Sequence, residues 1–240
     1  MDVRDGLIVG IFNYCDRWCE TCPFTSYCRL FADGARLQAL QDPGFRELAE
    51  APPLPQDVPP PPPPWMRELI DEMNEACATP PSPDELAAAE PKIRPEHQSI
   101  QARAEEYMKG VWGWLQTQED HAAWATGGPP ATISWYHALI CVKIHRALTG
   151  LNDALWLDEG RRDADGSAKV ALLGIDRSHV AWREAADRGL AAPEQAARFT
   201  ADLAWIRERL EEVFPRARAF VRPGFDEPEE VARLKAAEGW

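Results

Sequence analysis

Residues 52–64 read PPLPQDVPPPPPP, nine prolines in thirteen positions. Neither a helix interior nor a central strand accommodates that run, because each proline lacks a backbone N–H and fixes φ. The six consecutive prolines from Pro59 to Pro64 favour polyproline II at ~3.1 Å per residue, a stiff spacer of roughly 19 Å. A thinner stretch follows at Thr79-Pro80-Pro81-Ser82-Pro83, with Pro91 and Pro95 behind it. The run divides the chain into a cysteine-rich module (1–50), a polyproline spacer (51–65), an acidic, proline-rich connector (66–95), a helical body (96–222) and a tail (223–240). A spacer or surface strap is the simpler use of the prolines, and a docking motif for a proline-binding partner the sharper one.

Past about Arg94 the apolar residues recur at helical steps. Ile100, Ala104, Tyr107, Val111, Trp114 and Leu115 make one stripe, ended by Gly127-Gly128-Pro129-Pro130. Ile133, His137, Ile140, Ile144 and Leu148 make a second, closed by Gly150. A loop rich in Asp, Gly and Arg is expected next, with Asp165 or Ser167 capping a third helix that carries Val170, Leu173, Val180 and Ala181. Pro193 and Glu194 open a fourth, with Phe199, Leu203, Ile206, Leu210 and Val213 as its stripe and Pro215 at its end. No useful period-two alternation occurs. The expected fold is all-α, an antiparallel bundle of about four long helices behind a small four-cysteine metal module. Trp112, Trp114, Trp124, Trp135, Trp182 and Trp205 fall on those helices as bulky packing residues.

The strongest chemical signal is Cys15-x3-Cys19-x2-Cys22-x5-Cys28, four soft ligands within fourteen residues. On a helix the first three share one face, and Pro23 then lets the chain turn so that Cys28 approaches. In a reducing compartment such a set binds a thiophilic metal rather than forming disulfides. Zinc takes four thiolates at about 2.3 Å, usually from two separated knuckles. A [4Fe–4S] cluster is wider and suits ligands strung at short gaps, with proline after a ligand cysteine. The cluster is the first expectation and zinc the alternative. Trp18, Phe24, Tyr27 and Phe31 surround the cysteines, as a water-excluding shell or as the module's own small core.

The spacing of Cys15, Cys19 and Cys22 also matches the C-x3-C-x2-C of radical S-adenosylmethionine enzymes. The context differs: those enzymes resemble partial β/α barrels with an aromatic residue before the last cysteine, where this chain has Thr21, a fourth cysteine and helices. The segment NYCDRWCETCPFTSYC, followed by a helical domain with IHRALTG and DGSAKVALLGIDRS, resembles a group of uncharacterised bacterial proteins. That resemblance covers most of the chain outside the proline linker and implies no activity.

A second centre is conceivable in the bundle. Asp176 and His179 stand at i, i+3, the spacing that lets a carboxylate and an imidazole share a metal. His97, Glu105 and His137 would complete a His/carboxylate site. Against it, no Glu-x-x-His occurs, and a histidine on an apolar stripe is ordinarily hydrogen-bonded core. Asp163-Ala-Asp165-Gly166-Ser167 superficially resembles a calcium loop but has Arg161 and Leu172 where ligands are needed. Cys77 and Cys141 stand apart from the cluster, Cys141 as a buried inert thiol. No P-loop, G-x-G-x-x-G, G-x-S-x-G or H-E-x-x-H is present.

Charge limits the partners. With 26 Lys+Arg against 39 Asp+Glu, net −13, the chain has no phosphate-neutralising excess, so neither nucleic acid nor an anionic membrane is expected as a partner. Residues 66–126 hold 12 acids and 5 bases, hence −7 of that charge, a face for a basic protein partner or simply a solvated one. The start MDVRDGLIVGIFNYC lacks a basic head and a small-residue cleavage site, so a cytoplasmic protein is expected. Three functions follow: electron transfer or redox sensing through a [4Fe–4S] cluster, a metal-dependent oxidoreductase with its centre in the bundle, or a zinc-stapled adaptor without catalysis.

Overall fold

The computed structural model describes residues 2–41, 67, 92–118, 127–153 and 158–227. It groups residues 1–32 with 93–240 in one compact unit and residues 33–92 in another. The proline run, Cys77 and Trp124 lie outside the described residues.

Among the described residues there are five α-helices: α1 (Arg29–Gln41), α2 (Gln98–Gln116), α3 (Pro129–Asp153), α4 (Asp158–Asp187) and α5 (Pro193–Val213). The all-α reading holds, with α2 to α5 as the bundle. Pairs of touching residues give the directions. Gly150 faces Ala164 and Gly174 faces Tyr136 and Ile140, so α3 and α4 run antiparallel. Asp165 meets Arg216 just beyond α5, and Asp176 meets Arg207, so α4 and α5 do the same. Arg103–Asp202 and Gly110–Phe199 set α2 against α5 in the same sense.

The stripes read from the sequence form the core. Ile100, Ala104, Tyr107, Val111 and Leu115 of α2, Ile133, Ile140, Ile144 and Leu148 of α3, and Phe199, Leu203, Ile206 and Leu210 of α5 are all buried. Trp182 fills the centre, tilted against Trp114 and Phe199, and its indole N–H donates to Tyr107 Oη at 3.1 Å. Burying a side chain of that size contributes roughly 1.5–3 kcal/mol, and the internal hydrogen bond removes the penalty for its polar atom. Not every assigned tryptophan is inside: Trp112 is 56% exposed.

Three boundaries differ from expectation. Pro129 and Pro130 open α3 instead of following α2, since proline's missing N–H costs nothing in a first turn. Gly150 does not close α3; its missing side chain lets the helix lie against Ala164 at 3.4 Å from where a Cβ would be. The expected loop before Asp165 is helical, and α4 begins at Asp158. Asp165 and Ser167 are therefore buried inside a helix and cap nothing. Gly166 is required there, because an added Cβ would run into the Tyr14 ring and stand 2.8 Å from Phe220 Cζ. Val170 and Ala181 of the expected stripe are buried, whereas Val180 points outward, 64% exposed, and Ile175 and Trp182 also face the core. Gly189, at φ +67, ends α4 with Leu190 N–H on Ala185 O at 2.8 Å, a Schellman closure.

The N-terminus carries a short hairpin, Val3–Arg4 antiparallel to Leu7–Ile8. Asp5 and Gly6 both take positive φ, 52° and 75°, the requirement of a type I′ turn. Ile8, Ile11 and Tyr27 form a second small core with Phe24 and Phe225.

Candidate functional site

Cys15, Cys19, Cys22 and Cys28 line one narrow pocket, together with Ile11, Phe12, Trp18, Phe24, Phe31 and Phe225. The expected helix from Cys15 to Cys22 is not what brings them there. Arg17 takes φ +60, a left-handed conformation that stops any helix between Cys15 and Cys19. Two 3₁₀ turns, Cys19–Thr21 and Thr25–Tyr27, then fold the segment back, and Cys28 leads into α1.

Cys15 is buried and the other three are half-buried, and all four are free thiols. Cys15 Sγ donates to Phe12 O at 3.4 Å. Burial pushes the Cys15 thiol pKa up. Burial and then the charges of Cys15, Cys22 and Cys28 push Cys19 up, and burial with Cys15, Asp16 and Cys28 does the same to Cys22. The thiols thus sit within electrostatic reach of one another and resist ionising together. A bound cation reverses that balance, since metal binding displaces the protons. Among the described residues, no three His, Cys, Asp or Glu side chains are gathered tightly enough to hold one metal ion.

The segment is clamped to the bundle beside Cys15. The Asp16 carboxylate accepts from Tyr136 Oη at 2.6 Å and from Arg177 Nη1 at 2.6 Å, and Arg177 also donates to Tyr136 Oη. The Trp135 indole N–H donates to Asp16 O at 2.8 Å, and Trp18 stacks on Trp135 with centroids 5.4 Å apart. Burial, then the Asp16 carboxylate, raises the Tyr136 pKa, so its hydroxyl stays a donor. From the other side, Tyr14 Oη donates to Asp163, and Lys143 Nζ donates to Asn13 O at 3.2 Å.

The tail supplies the last wall. Gly224 lies against Ile8 and Ile11, where a Cβ would meet both side chains at 3.0 Å, and its φ of +78 suits glycine. Phe225 then meets Phe24 edge-on at 5.0 Å. Asp226 anchors the turn through Lys169 at 3.0 Å and Arg222 at 2.9 Å.

The five bundle residues do not form a group. His97 lies in the 3₁₀ turn before α2. Glu105 accepts from Gln101 and pairs with Lys109 on the same helix. His137 stacks on Trp112, with its Nδ1 2.6 Å from Ser134 O. Asp176 is held by Arg218 at 2.5 Å and by Arg207 at 3.8 Å. Burial and then Arg207 and Arg183 push the His179 pKa down. Of the i, i+3 pair, Asp176 serves ion pairing with arginines. Cys141 is buried, accepting from Gln101 at 3.5 Å.

Asp16, Tyr136, Arg177, Lys143 and Phe225 are what sequence reasoning missed. A lysine inside the apolar run of α3 was the one visible sign among them. No helix among the described residues is long and apolar enough to cross a membrane. Comparison with protein-family models, with curated proteins and with solved structures gives no match.

Proposed function

We propose that Cys15, Cys19, Cys22 and Cys28 hold a [4Fe–4S] cluster and that the protein transfers electrons or senses redox state through it. The observation that carries this reading is the convergence of all four cysteines on one pocket with aromatic and aliphatic walls. Thiolates are the ligands such a cluster takes. Ligands strung at short gaps, with Pro23 after Cys22, suit a cluster better than the two separated knuckles usual for zinc.

When bound, the cluster supplies one-electron chemistry. The chain's own residues govern how it is held. The Asp16 clamp sets the backbone next to Cys15, and Trp18, Phe24 and Phe225 exclude water, which tunes potential. A reducing cytoplasm suits the free cysteines. A protein partner would take or give the electron, with the bundle as the docking body.

The test is anaerobic purification or reconstitution of the full chain with iron and sulfide. The expected result is about four iron and four sulfide per chain, with broad visible absorption that bleaches on dithionite and is lost in Cys19→Ala. One colourless zinc per chain, with no redox response, would replace this reading with that of a zinc-stapled adaptor. Protein that takes up neither iron nor zinc would overturn the metal reading altogether.

A further inference from the structure

Lys143 lies on α3 between Val142 and Ile144 and is only 6% exposed. Lysine is almost never buried unpaired, because an ammonium taken out of water loses its hydration. Its Nζ donates to one carbonyl, Asn13 O, at 3.2 Å. Among the described residues no carboxylate stands within ion-pairing distance of it. Asp163 is within electrostatic range, but its charge is already matched by Arg146 at 2.9 Å. Arg146 and Arg17 add like charges nearby, so the local balance is positive.

Asn13, which accepts from the lysine, stands two residues before the buried Cys15. The buried thiol and the buried ammonium are within mutual electrostatic reach, each favouring the charged form of the other. As a neutral thiol, Cys15 leaves the lysine uncompensated. As one of four metal-bound thiolates, it brings the missing negative charge to the place where the lysine is buried.

We propose that Lys143 is the internal counter-charge of the four-cysteine centre, stabilising its more negative redox state and so raising its midpoint potential. The inference rests on the cluster reading above and concerns this chain's own contribution to it. When the centre gains one electron from an external reductant, Lys143 keeps its proton, and the added charge is screened from within instead of by solvent. Arg17 and Asp16 act on Cys15 more strongly than Lys143 does, with opposite signs, and Arg17 is exposed with its charge shared with water, so Lys143 is the cation held inside. The same residue is a cost when the centre is empty of metal, because only the Asn13 carbonyl and the shared Asp163 charge then offset its desolvation. A lysine kept merely to hold Asn13 would stabilise the protein with or without metal. The two roles therefore differ in sign.

The experiment compares full-length wild type, Lys143→Met and Lys143→Arg. Each is reconstituted anaerobically and titrated potentiometrically with dithionite and mediators, and each is also unfolded in urea without metal. The expected result is a midpoint lowered in Lys143→Met by a tenfold or greater change in the one-electron equilibrium, about 59 mV, and restored towards wild type in Lys143→Arg. Metal-free Lys143→Met should be more stable than metal-free wild type. A midpoint left in place by Lys143→Met would overturn the role given to Lys143 while the cluster stands. A metal-free Lys143→Met that is less stable than wild type would overturn it as well, because the bond to Asn13 would then be the lysine's main use. Wild type that binds no iron and sulfide would instead overturn the cluster reading beneath it.

Discussion

Asp16 and Arg177 meet at 2.6 Å across 161 residues of sequence, and Tyr136 Oη bonds to both. Asp16 follows Cys15 directly, so a group on α4 and a group on α3 together set where the first cysteine stands. The cysteine segment is therefore built onto the α3–α4 pair, and the bundle helps to shape the pocket.

Removing the carboxylate tests that dependence. Asp16→Ala leaves Tyr136 and Arg177 without their acceptor, and losing hydrogen bonds to a charged group costs roughly 1.5–3 kcal/mol. Urea unfolding of the metal-free protein measures it. Tyr136→Phe alone should cost about 1 kcal/mol. The double variant should cost clearly less than the sum, because the residues share one network. Additive effects would show that the clamp is not a unit.

Two glycines should respond in opposite directions to alanine. At Gly166 the new Cβ meets the rings of Tyr14 and Phe220, which are held from several sides, so Gly166→Ala should destabilise by about 1–3 kcal/mol through overpacking. At Gly113 in α2 nothing lies within 4 Å, and Gly113→Ala should stabilise by about 0.5–1 kcal/mol by reducing the freedom of the unfolded chain. Thermal or urea midpoints of the two variants read both signs. If both moved together, the close approach at Gly166 would be in doubt.

Gly166 also marks where the sequence could be read and where it could not. The stripes of α2, α3 and α5 were visible because their burial follows a 3.6-residue period, and Pro193 with Glu194 signalled a helix start. Asp163, Asp165, Gly166 and Ser167 have the composition of a turn, and they are helical because of partners far along the chain. Arg216 faces Asp165, and Tyr14 fills the space that Gly166 leaves. The Asp5-Gly6 turn carried a readable signal, but its strands are only two residues each, too short for alternation to register. In the pocket, the cysteine spacing singled out the four thiols that line it. It could not disclose Arg17's left-handed φ, nor Phe225 arriving from the tail, because neither leaves a periodic trace.

Acid should loosen the tail at a defined point. Burial alone would raise the Asp226 pKa, but Arg222 and Lys169 hold the carboxyl down to about 2. A carboxylate depressed in the folded state contributes stability above its unfolded pKa of about 4, and that contribution is lost as pH falls through the folded value of about 2. Wild type should therefore exceed Asp226→Asn in urea stability at pH 6, with the two curves converging as the pH approaches 2. Asp226 is partly exposed, so added salt should shrink the difference. A gap independent of pH would assign the anchor to packing rather than charge.

Metal uptake should depend steeply on pH. The thiols of Cys15, Cys19 and Cys22 are all pushed up by burial, with Cys19 and Cys22 raised further by their neighbours, so each enters the site protonated at neutral pH. Each proton displaced on binding adds about one decade of apparent affinity per pH unit. Cadmium, followed by thiolate charge-transfer absorption in the metal-free protein, should gain more than one decade per unit between pH 6 and 8. A slope of one or less would mean that a single thiol binds and that the four do not act as a set.

Phe225 offers a test of the pocket that requires no metal. Its ring meets Phe24 edge-on at 5.0 Å and forms one wall beside the cysteines. An aromatic pair of this kind is worth about 0.5–1.5 kcal/mol beyond its buried area, and 1 kcal/mol of lost local stability corresponds to about a fivefold rise in the open population. Iodoacetamide should therefore alkylate the cysteines of metal-free Phe225→Ala severalfold faster than those of wild type, at unchanged global stability or nearly so. Val221→Ala provides the control, because Val221 stands four residues before Phe225, is 50% exposed and does not line the pocket. Its alkylation rate should match wild type. If Phe225→Ala also matched wild type, the tail would be packed against the small N-terminal core without shielding the thiols, and their protection would come from Trp18 and Phe31 instead.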